Sequence, residues 1–441
     1  MNRFHASWKS VIFFVLVLTL AVGGFSIVQK SSWASQDQVR AAGKPSPTTC
    51  DTDKMCESVE WKAGVAPKDQ PCIDCRISAF SPLALLNDPG KQIVGTIGDV
   101  CRTFQITFAN SNYSIPWGSN AVGTMYDFQA LIGQFDADPD KEILTVNTVM
   151  TSVGSGKNKV NYYAPTVYLF KNGSTGQPSS TIPLEKTTSA TVGRAIIAGD
   201  VDGQPGDELV LARSNRIWIY KYSSAGSLDC IGMSPEFSSG SYSLSIGDAD
   251  GQPGNEILIA HPSIGKVSVL KYLGNNGWDI KETESIGAFT IDCAVARDID
   301  GDTEPEIIAG GNSSKLVVWK YKNGAYPKIF LSENLGGYTV SVDAGDIDDD
   351  GWPEVVTAAD YPDRYLYVLK FAKHADSTLS MIQLLKMIPD YGPMDVTLGS
   401  LDYDDALELF VYGNNGLNIY KWAGTLGRIY VTVYGGSPRI G

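Results

Sequence analysis

Residues Gly199–Ala212 read GDVDGQPGDELVLA, and 48 residues further on Gly247–Ala260 read GDADGQPGNEILIA. Aspartates alternate, glycine follows, and a glutamate nine positions after the first residue opens an apolar, β-prone run. Four more segments share the pattern: GQFDADPDKEILTV at Gly133, RDIDGDTEPEIIAG at Arg297, GDIDDDGWPEVVTA at Gly345 and GSLDYDDALELFVY at Gly399. The intervals between the six are 66, 48, 50, 48 and 54 residues, so the organising feature of the chain is a repeat.

A second element recurs downstream of each loop: TVYLFK, RIWIYKY, KVSVLKY, KLVVWKY, RYLYVLKF and LNIYKW. Its lysine comes 22 to 25 residues after the loop begins, except in the first copy, where Lys171 comes after 38. The extra length of the first interval therefore falls at Val149–Tyr163, which reads as a surface-loop insertion on a regular scaffold. One unit predicts strands at Val340–Ala344, Glu354–Ala359, Arg364–Phe371 and, more weakly, Leu379–Ile388. Four strands in about 50 residues is the length of a propeller blade, whereas a sandwich domain takes about 100 and a β-helix coil far fewer. The predicted fold class is all-β, a β-propeller of four-stranded blades.

The pattern GDxDGxxxxEL followed by xVxVxKY resembles the FG-GAP (VCBS-type) repeat of integrin-α-like β-propellers, over about Ala121 to Gly436. The resemblance implies seven blades, and six motifs are present. Cys75–Asn120 carries the strand-like runs DCRISAF, KQIVGTIG and RTFQITF and is assigned to a degenerate seventh blade. The alternative is a six-bladed ring in which N-terminal strands complete the last blade after GRIYVTVYG.

Calcium takes six to eight oxygens at flexible distances, from carboxylates and carbonyls. Aspartates at loop positions 1, 3 and 5 turn inward, position 7 offers a main-chain carbonyl, and the glutamate at position 9 closes the shell. Two loops hold the full set: Asp298, Asp300, Asp302 and Glu306, and Asp346, Asp348, Asp350 and Glu354. Two carry glutamine at position 5: Asp200, Asp202, Gln204 and Glu208, and Asp248, Asp250, Gln252 and Glu256. The outer two lack the leading aspartate. Gln134 precedes Asp136, Asp138 and Glu142, and Ser400 precedes Asp402, Asp404 and Glu408. The family resemblance implies calcium in such loops, in a structural role. The competing reading needs no metal, because aspartate in a tight turn accepts backbone N–H bonds two residues on.

The rest of the chain narrows the function. Arg3, His5 and Lys9 precede the uncharged run Val11–Val28, and SSWAS offers cleavage after Ala34, so residues 1–34 read as a signal peptide or a membrane anchor. Residues 35–75 form a cysteine-containing linker or stalk with Cys50, Cys56, Cys72 and Cys75, and residues 76–441 form the propeller. In an oxidising compartment those four read as disulfides, with zinc as the alternative, while Cys293 in TIDCAVA reads as a buried small hydrophobe. A net charge of −14 excludes a nucleic-acid surface. GSGK at Gly154 is no phosphate-binding loop, since Thr151 replaces the first glycine and Asn158 follows the lysine. Only His5, His261 and His374 are available for histidine chemistry, and no serine of a recognisable motif accompanies them. Asn112, Asn172 and Asn312 fit the glycosylation acceptor pattern.

These features predict an exported, calcium-stabilised propeller that binds a glycan or a protein at the cell surface or outside the cell. Adhesion or matrix assembly is what the family resemblance implies. The alternatives are a secreted carbohydrate-active enzyme and a structural subunit of an envelope assembly.

Overall fold

The computed structural model describes residues 75–81, 92–97, 102–109, 112–118 and 127–420, less short connections at 139, 172–176, 188–194, 214, 238–242, 262–263, 288, 363, 375–377, 389–392, 400–406 and 414–415. All of these lie in the compact unit Cys50–Gly441. Residues 1–34, Cys50, Cys56, Cys72, Cys101 and GRIYVTVYG lie outside the described residues. Among the described residues no helix is long and apolar enough to cross a membrane.

The described strands form seven antiparallel sheets. The first holds β1 (Cys75–Ser81), β2 (Gln92–Ile97), β3 (Arg102–Ala109) and β4 (Asn112–Gly118). The second holds β5 (Asp127–Gly133), β6 (Glu142–Val153), β7 (Val160–Phe170) and β8 (Ser180–Pro183). The third holds β9 (Ile196–Gly199), β10 (Glu208–Arg213), β11 (Arg216–Tyr222) and β12 (Leu228–Met233). The fourth holds β13 (Ser243–Gly247), β14 (Glu256–Ala260), β15 (Val267–Tyr272) and β16 (Trp278–Glu282). The fifth holds β17 (Cys293–Arg297), β18 (Glu306–Gly310), β19 (Leu316–Lys320) and β20 (Lys328–Leu331). The sixth holds β21 (Gly337–Gly345), β22 (Glu354–Pro362), β23 (Leu366–Lys373) and β24 (Leu379–Met387). The last has three described strands, β25 (Pro393–Gly399), β26 (Glu408–Gly413) and β27 (Gly416–Tyr420). The strands β1 to β4, within the stretch Cys75–Asn120 assigned to a degenerate blade, pair with one another in a sheet of their own.

The order of the sheets follows from their apolar runs. Every residue of β10, β14 and β18 is buried, as a continuous apolar run between turn signals requires of a strand covered on both faces. Alternate side chains serve different neighbours. Leu209 and Leu211 join Leu144, Val146 and Val167 of the second sheet. Val210 and Ala212 join Ile257, Ile259 and Leu270 of the fourth. Leu258 and Ala260 in turn meet Ile307, Ala309 and Val317 of the fifth. The core is thus a series of sheet-to-sheet interfaces, each fully buried aliphatic side chain contributing about 1.5–3 kcal/mol. First strands lie beside first strands, β1 by β5, β5 by β9, and so on to β21 by β25. Fourth strands are half exposed, as β12 and β16 show. Cys293 is buried between the fifth and sixth sheets, as its sequence context predicts.

The insertion at Val149–Tyr163 is ordered β-structure rather than an irregular loop. It lengthens β6 and β7 to 12 and 11 residues, paired in register out to Val153 and Val160. Because β6 starts at its acidic loop and ends at the hairpin tip, the tip lies at the opposite end of the sheet from that loop.

Candidate metal sites in the acidic loops

In each sheet from the second to the sixth, the acidic loop joins the first strand to the second, so the five described loops lie at equivalent ends of their sheets. Aspartate carboxylates fix their form. Gly203 N–H donates to Asp200 Oδ1 at 2.8 Å and Gln204 N–H to Asp202 Oδ1 at 2.8 Å, and the 248 loop repeats both bonds. In the 298 loop Asp298 accepts from Gly301 and Thr303, both at 2.8 Å. Position 4 is left-handed in four loops: Gly203, Gly251, Gly301 and Asp349 have φ of 69°, 70°, 74° and 57°. That is why glycine, or an aspartate in its stead, follows the second ligand position.

The position-9 glutamate opens each second strand and is at most 1% exposed in all six copies. One of its oxygens turns back to the loop. Oε2 of Glu142, Glu208, Glu256, Glu306 and Glu354 accepts the N–H of Phe135, Val201, Ala249, Ile299 and Ile347, at 2.8, 2.9, 2.9, 3.0 and 3.1 Å. Burial pushes Glu142, Glu306 and Glu354 up to about 7, and raises Glu208 and Glu256 as well.

In four loops the other oxygen meets the third-strand lysine, a pairing that the sequence motif does not announce. Glu208 is the register partner of Lys221, Glu306 of Lys320 and Glu354 of Lys370. Partners directly opposite in an antiparallel pair put their side chains on one face. The ammonium is therefore delivered to the glutamate: Nζ–Oε1 is 2.6 Å for Lys221, 2.7 Å for Lys271 on Glu256, 2.5 Å for Lys320 and 2.8 Å for Lys370. The same lysines reach the aspartates. Lys221 is 2.9 Å from Asp202, Lys271 3.7 Å from Asp250, and Lys370 2.6 Å from Asp350. In the first loop Lys171 pairs with Asp136 and lies 3.6 Å from Asp138.

The 298 loop takes two lysines. Lys320 is 2.7 Å from both oxygens of Asp302 and 3.7 Å from Asp300 and Glu304. Lys373, at the end of β23 in the next sheet, pairs with Asp302 and stands 3.1 Å from Asp300. Burial works against charge on Asp302, yet the bonds from Lys320 and Lys373 outweigh it and hold that carboxyl well below the usual range. Burial likewise opposes the charge on Lys320, and its bonds to Asp302 and Glu306 more than compensate, raising it.

Carboxylates converge as the sequence predicts. Ligand oxygens lie within 4.8 Å of one another in Asp136–Asp138–Glu142, Asp200–Asp202–Glu208, Asp248–Asp250–Glu256, Asp298–Asp300–Asp302 and Asp346–Asp348–Glu354. Four residues depart from the predicted sets. Glu306 is turned to Lys320 rather than to the 298 cluster, and Asp350 is turned to Lys370 rather than to Asp346 and Asp348. Gln204 and Gln252 lay their amide nitrogens on the preceding glycine carbonyls at 3.2 Å. In the first loop Gln134 Nε2 donates to the carbonyls of Asp136 and Asp138, where a cation would otherwise draw them together. Ser400, Asp402 and Asp404 lie outside the described residues, and Glu408 is buried. Every converging donor is an oxygen, so the clusters suit a hard divalent cation and not a thiolate- or imidazole-seeking one. The residues that would hold it are those carboxylates, and the ion would supply neutralisation at the hairpin bend.

The loops also dock on each other. Gln134 N–H donates to Asp207 Oδ2 at 2.8 Å, and Asn255 Nδ2 donates to the Asp200 carbonyl at 2.9 Å. Trp352 N–H donates to Asp350, its indole N–H reaches the Phe371 carbonyl at 3.1 Å, and its ring lies over Gly301. Away from this face, His261 Nε2 lies 2.7 Å from Ser268 Oγ, a pairing across the β14–β15 hairpin that no sequence motif marks. Both residues are buried, at 2% and 1% exposure, so the pair is closed to a substrate. Asn312, one glycosylation acceptor, is exposed and accepts the Thr290 N–H at 3.0 Å.

Comparison with known proteins fits this geometry. Residues 298–357, which span the doubly clasped loop and the next acidic loop, match the family described as FG-GAP-like repeat. No curated protein matches the chain. Among solved structures the chain is similar to BBS1N in complex with ARL6DN, in crystals soaked with mercury (TM-score 0.51, 12% identity, 78% of this chain and 92% of that one). A second crystal structure of that complex, soaked with lead, gives a TM-score of 0.50 at 12% identity, over 84% of this chain and 94% of that one. At this identity the likeness carries the fold alone. The chain holds an FG-GAP-like repeat at residues 298–357 and has the fold of a β-propeller.

Proposed function

We propose that the protein is an exported, seven-bladed propeller that binds a glycan or a surface protein through the face bearing the β6–β7 hairpin. Closure of the ring is supported by β1, which lies beside β25, β26 and β27 of the last sheet. Export rests on the basic residues and apolar run of the first 34 residues. Calcium is the proposed ion for the loops, where it is structural, because the donor set is all oxygen.

One observation carries the binding reading. The hairpin interrupts an otherwise regular array and presents Met150, Val153 and Val160 at 37%, 61% and 41% exposure, with Lys157 and Lys159 at its tip. Exposed apolar residues gathered on an ordered projection mark a recognition surface. A platform for adhesion or matrix assembly fits this projecting surface.

The test incubates the full chain, and a variant with a shortened hairpin, with a panel of polysaccharides in calcium or chelator. Retention and soluble products are assayed together. Retention that falls with the hairpin and leaves no products is the expected result. Soluble sugar products would overturn the binding reading in favour of an enzyme.

A further inference from the structure

We propose that the third-strand lysines are the resident cations of the acidic loops, so that a divalent ion enters a loop only by displacing a lysine. The inference rests on the calcium reading above and states what this chain's own residues do to it. Five loops show the arrangement, through Lys171, Lys221, Lys271, Lys320 and Lys370. Each ammonium touches oxygens that a metal would need. Lys221 contacts Asp202 and Glu208, both members of one converging set. An ion at hydrogen-bonding distance from the same oxygens would stand against the ammonium, and two cations at that separation repel strongly in a partly buried site.

The lysine holds an advantage and a handicap. It is tethered, so its effective concentration at the loop is high without any free ion. It carries one charge and three donors, whereas calcium carries two charges and gathers six to eight oxygens. Occupancy should therefore differ between loops according to how many lysines each holds. The 346 loop sets four ligand-position carboxylates against one lysine, and Lys370 leaves Asp346 and Asp348 untouched. The 298 loop sets four against two, and Lys320 and Lys373 between them contact Asp300, Asp302 and Glu306. The 346 loop thus admits calcium before the 298 loop, although their motifs look equally complete in the sequence.

The test needs no mutation at first. The full chain is treated with an amine-methylating reagent in chelator and in calcium, and each lysine is followed by mass spectrometry, with calorimetry reporting calcium uptake. In chelator Lys320 and Lys370 are expected to react about tenfold more slowly than the exposed tip residue Lys157. Calcium uptake is expected to raise reactivity at Lys370 before Lys320. Calcium taken up with Lys370 still protected would overturn the proposal, as would Lys370 reacting like Lys157 in chelator. No uptake with both lysines protected would uphold the resident lysine and overturn the calcium reading alone. As a second arm, Lys370→Gln should bind calcium about tenfold more tightly than wild type and lose stability in chelator, while Lys370→Arg keeps that stability. Equal affinity in Lys370→Gln and wild type would overturn the proposal.

Discussion

Glu306 and Lys320 face each other across β18 and β19, and the ammonium stands 2.5 Å from a glutamate oxygen that is wholly buried. The other oxygen of Glu306 receives the Ile299 N–H at 3.0 Å. One side chain thus ties together a second strand, a third strand and the loop that precedes them. The motif glutamate is as much a clasp of the blade as a metal ligand.

Removing that clasp has a defined consequence. Glu306→Ala strands the Ile299 backbone donor and takes one carboxylate from Lys320, which keeps Asp302 at 2.7 Å, so the loss falls toward the lower end of the about 3–5 kcal/mol that breaking a buried ion pair costs. Glu306→Gln keeps an acceptor for Ile299 and is expected to cost less, about 1–3 kcal/mol. Urea denaturation of the two variants in chelator checks the order. Equal losses would show that the lysine pair carries the effect without the backbone bond.

The two glycine positions of the motif should respond differently. A Cβ on Gly345, the first motif residue, would lie 2.5 Å from Leu407 Cδ1 and 3.3 Å from Leu398 Cδ1, both in the next repeat. Gly345→Ala therefore overpacks an interface between sheets and should cost about 1–3 kcal/mol. Gly203 has φ of 69° with nothing near its missing Cβ, so Gly203→Ala should cost only about 1 kcal/mol, from backbone strain. Thermal unfolding of both variants checks the ranking.

The fold was legible because each blade states its plan locally. The buried run LVLA at Leu209 serves one neighbour with Leu209 and Leu211 and the other with Val210 and Ala212, so continuous apolarity already implies a sheet covered on both faces. The carboxylate clusters were legible for the same reason, since Asp200, Asp202 and Glu208 lie within nine residues. The lysines were visible only as a recurring letter. Their offset varies because the β-hairpin between second and third strands varies in length, while the register that pairs Glu306 with Lys320 and Glu354 with Lys370 does not. Lys373 lies 71 residues from Asp302 and arrives from another sheet, which no local motif encodes. The insertion at Val149–Tyr163 was correctly placed, but its pairing from Val149↔Ala164 to Val153↔Val160 depends on a register that glycine- and lysine-rich sequence does not advertise.

His261 gives the protein an acid sensitivity of known sign. Burial lowers its pKa from 6.5, with Glu282 as the one opposing charge, so the folded protein favours the neutral ring. The unfolded chain then binds more protons as the pH falls below about 6.5, and stability drops at up to about 1.4 kcal/mol per pH unit until the folded ring also titrates. Above that pH the histidine contributes no slope. Urea denaturation of wild type and His261→Gln at pH 7.5 and 5.5 checks this, the difference between the two proteins isolating the histidine. An unchanged difference across that interval would refute it.

The hairpin offers the sharpest separation of folding from binding. Its outer part pairs only strand with strand, ending at Val153↔Val160. Its base is anchored elsewhere, because Tyr163 exchanges two backbone bonds with Thr187, at 2.7 and 2.9 Å, and Leu184 N–H donates to the Pro165 carbonyl at 2.9 Å. Replacing Thr151–Tyr162 with Asn-Gly closes the turn just beyond the Met150↔Tyr163 pair and leaves those anchors in place. Nothing in the sheet-to-sheet cores is touched, so stability should change by no more than about 1 kcal/mol. Ligand retention, in contrast, should fall at least tenfold if the exposed valines and tip lysines form the contact surface. A variant that unfolds more readily would place the hairpin among the supports of the fold. A stable variant with full retention would move the binding surface to another part of the propeller.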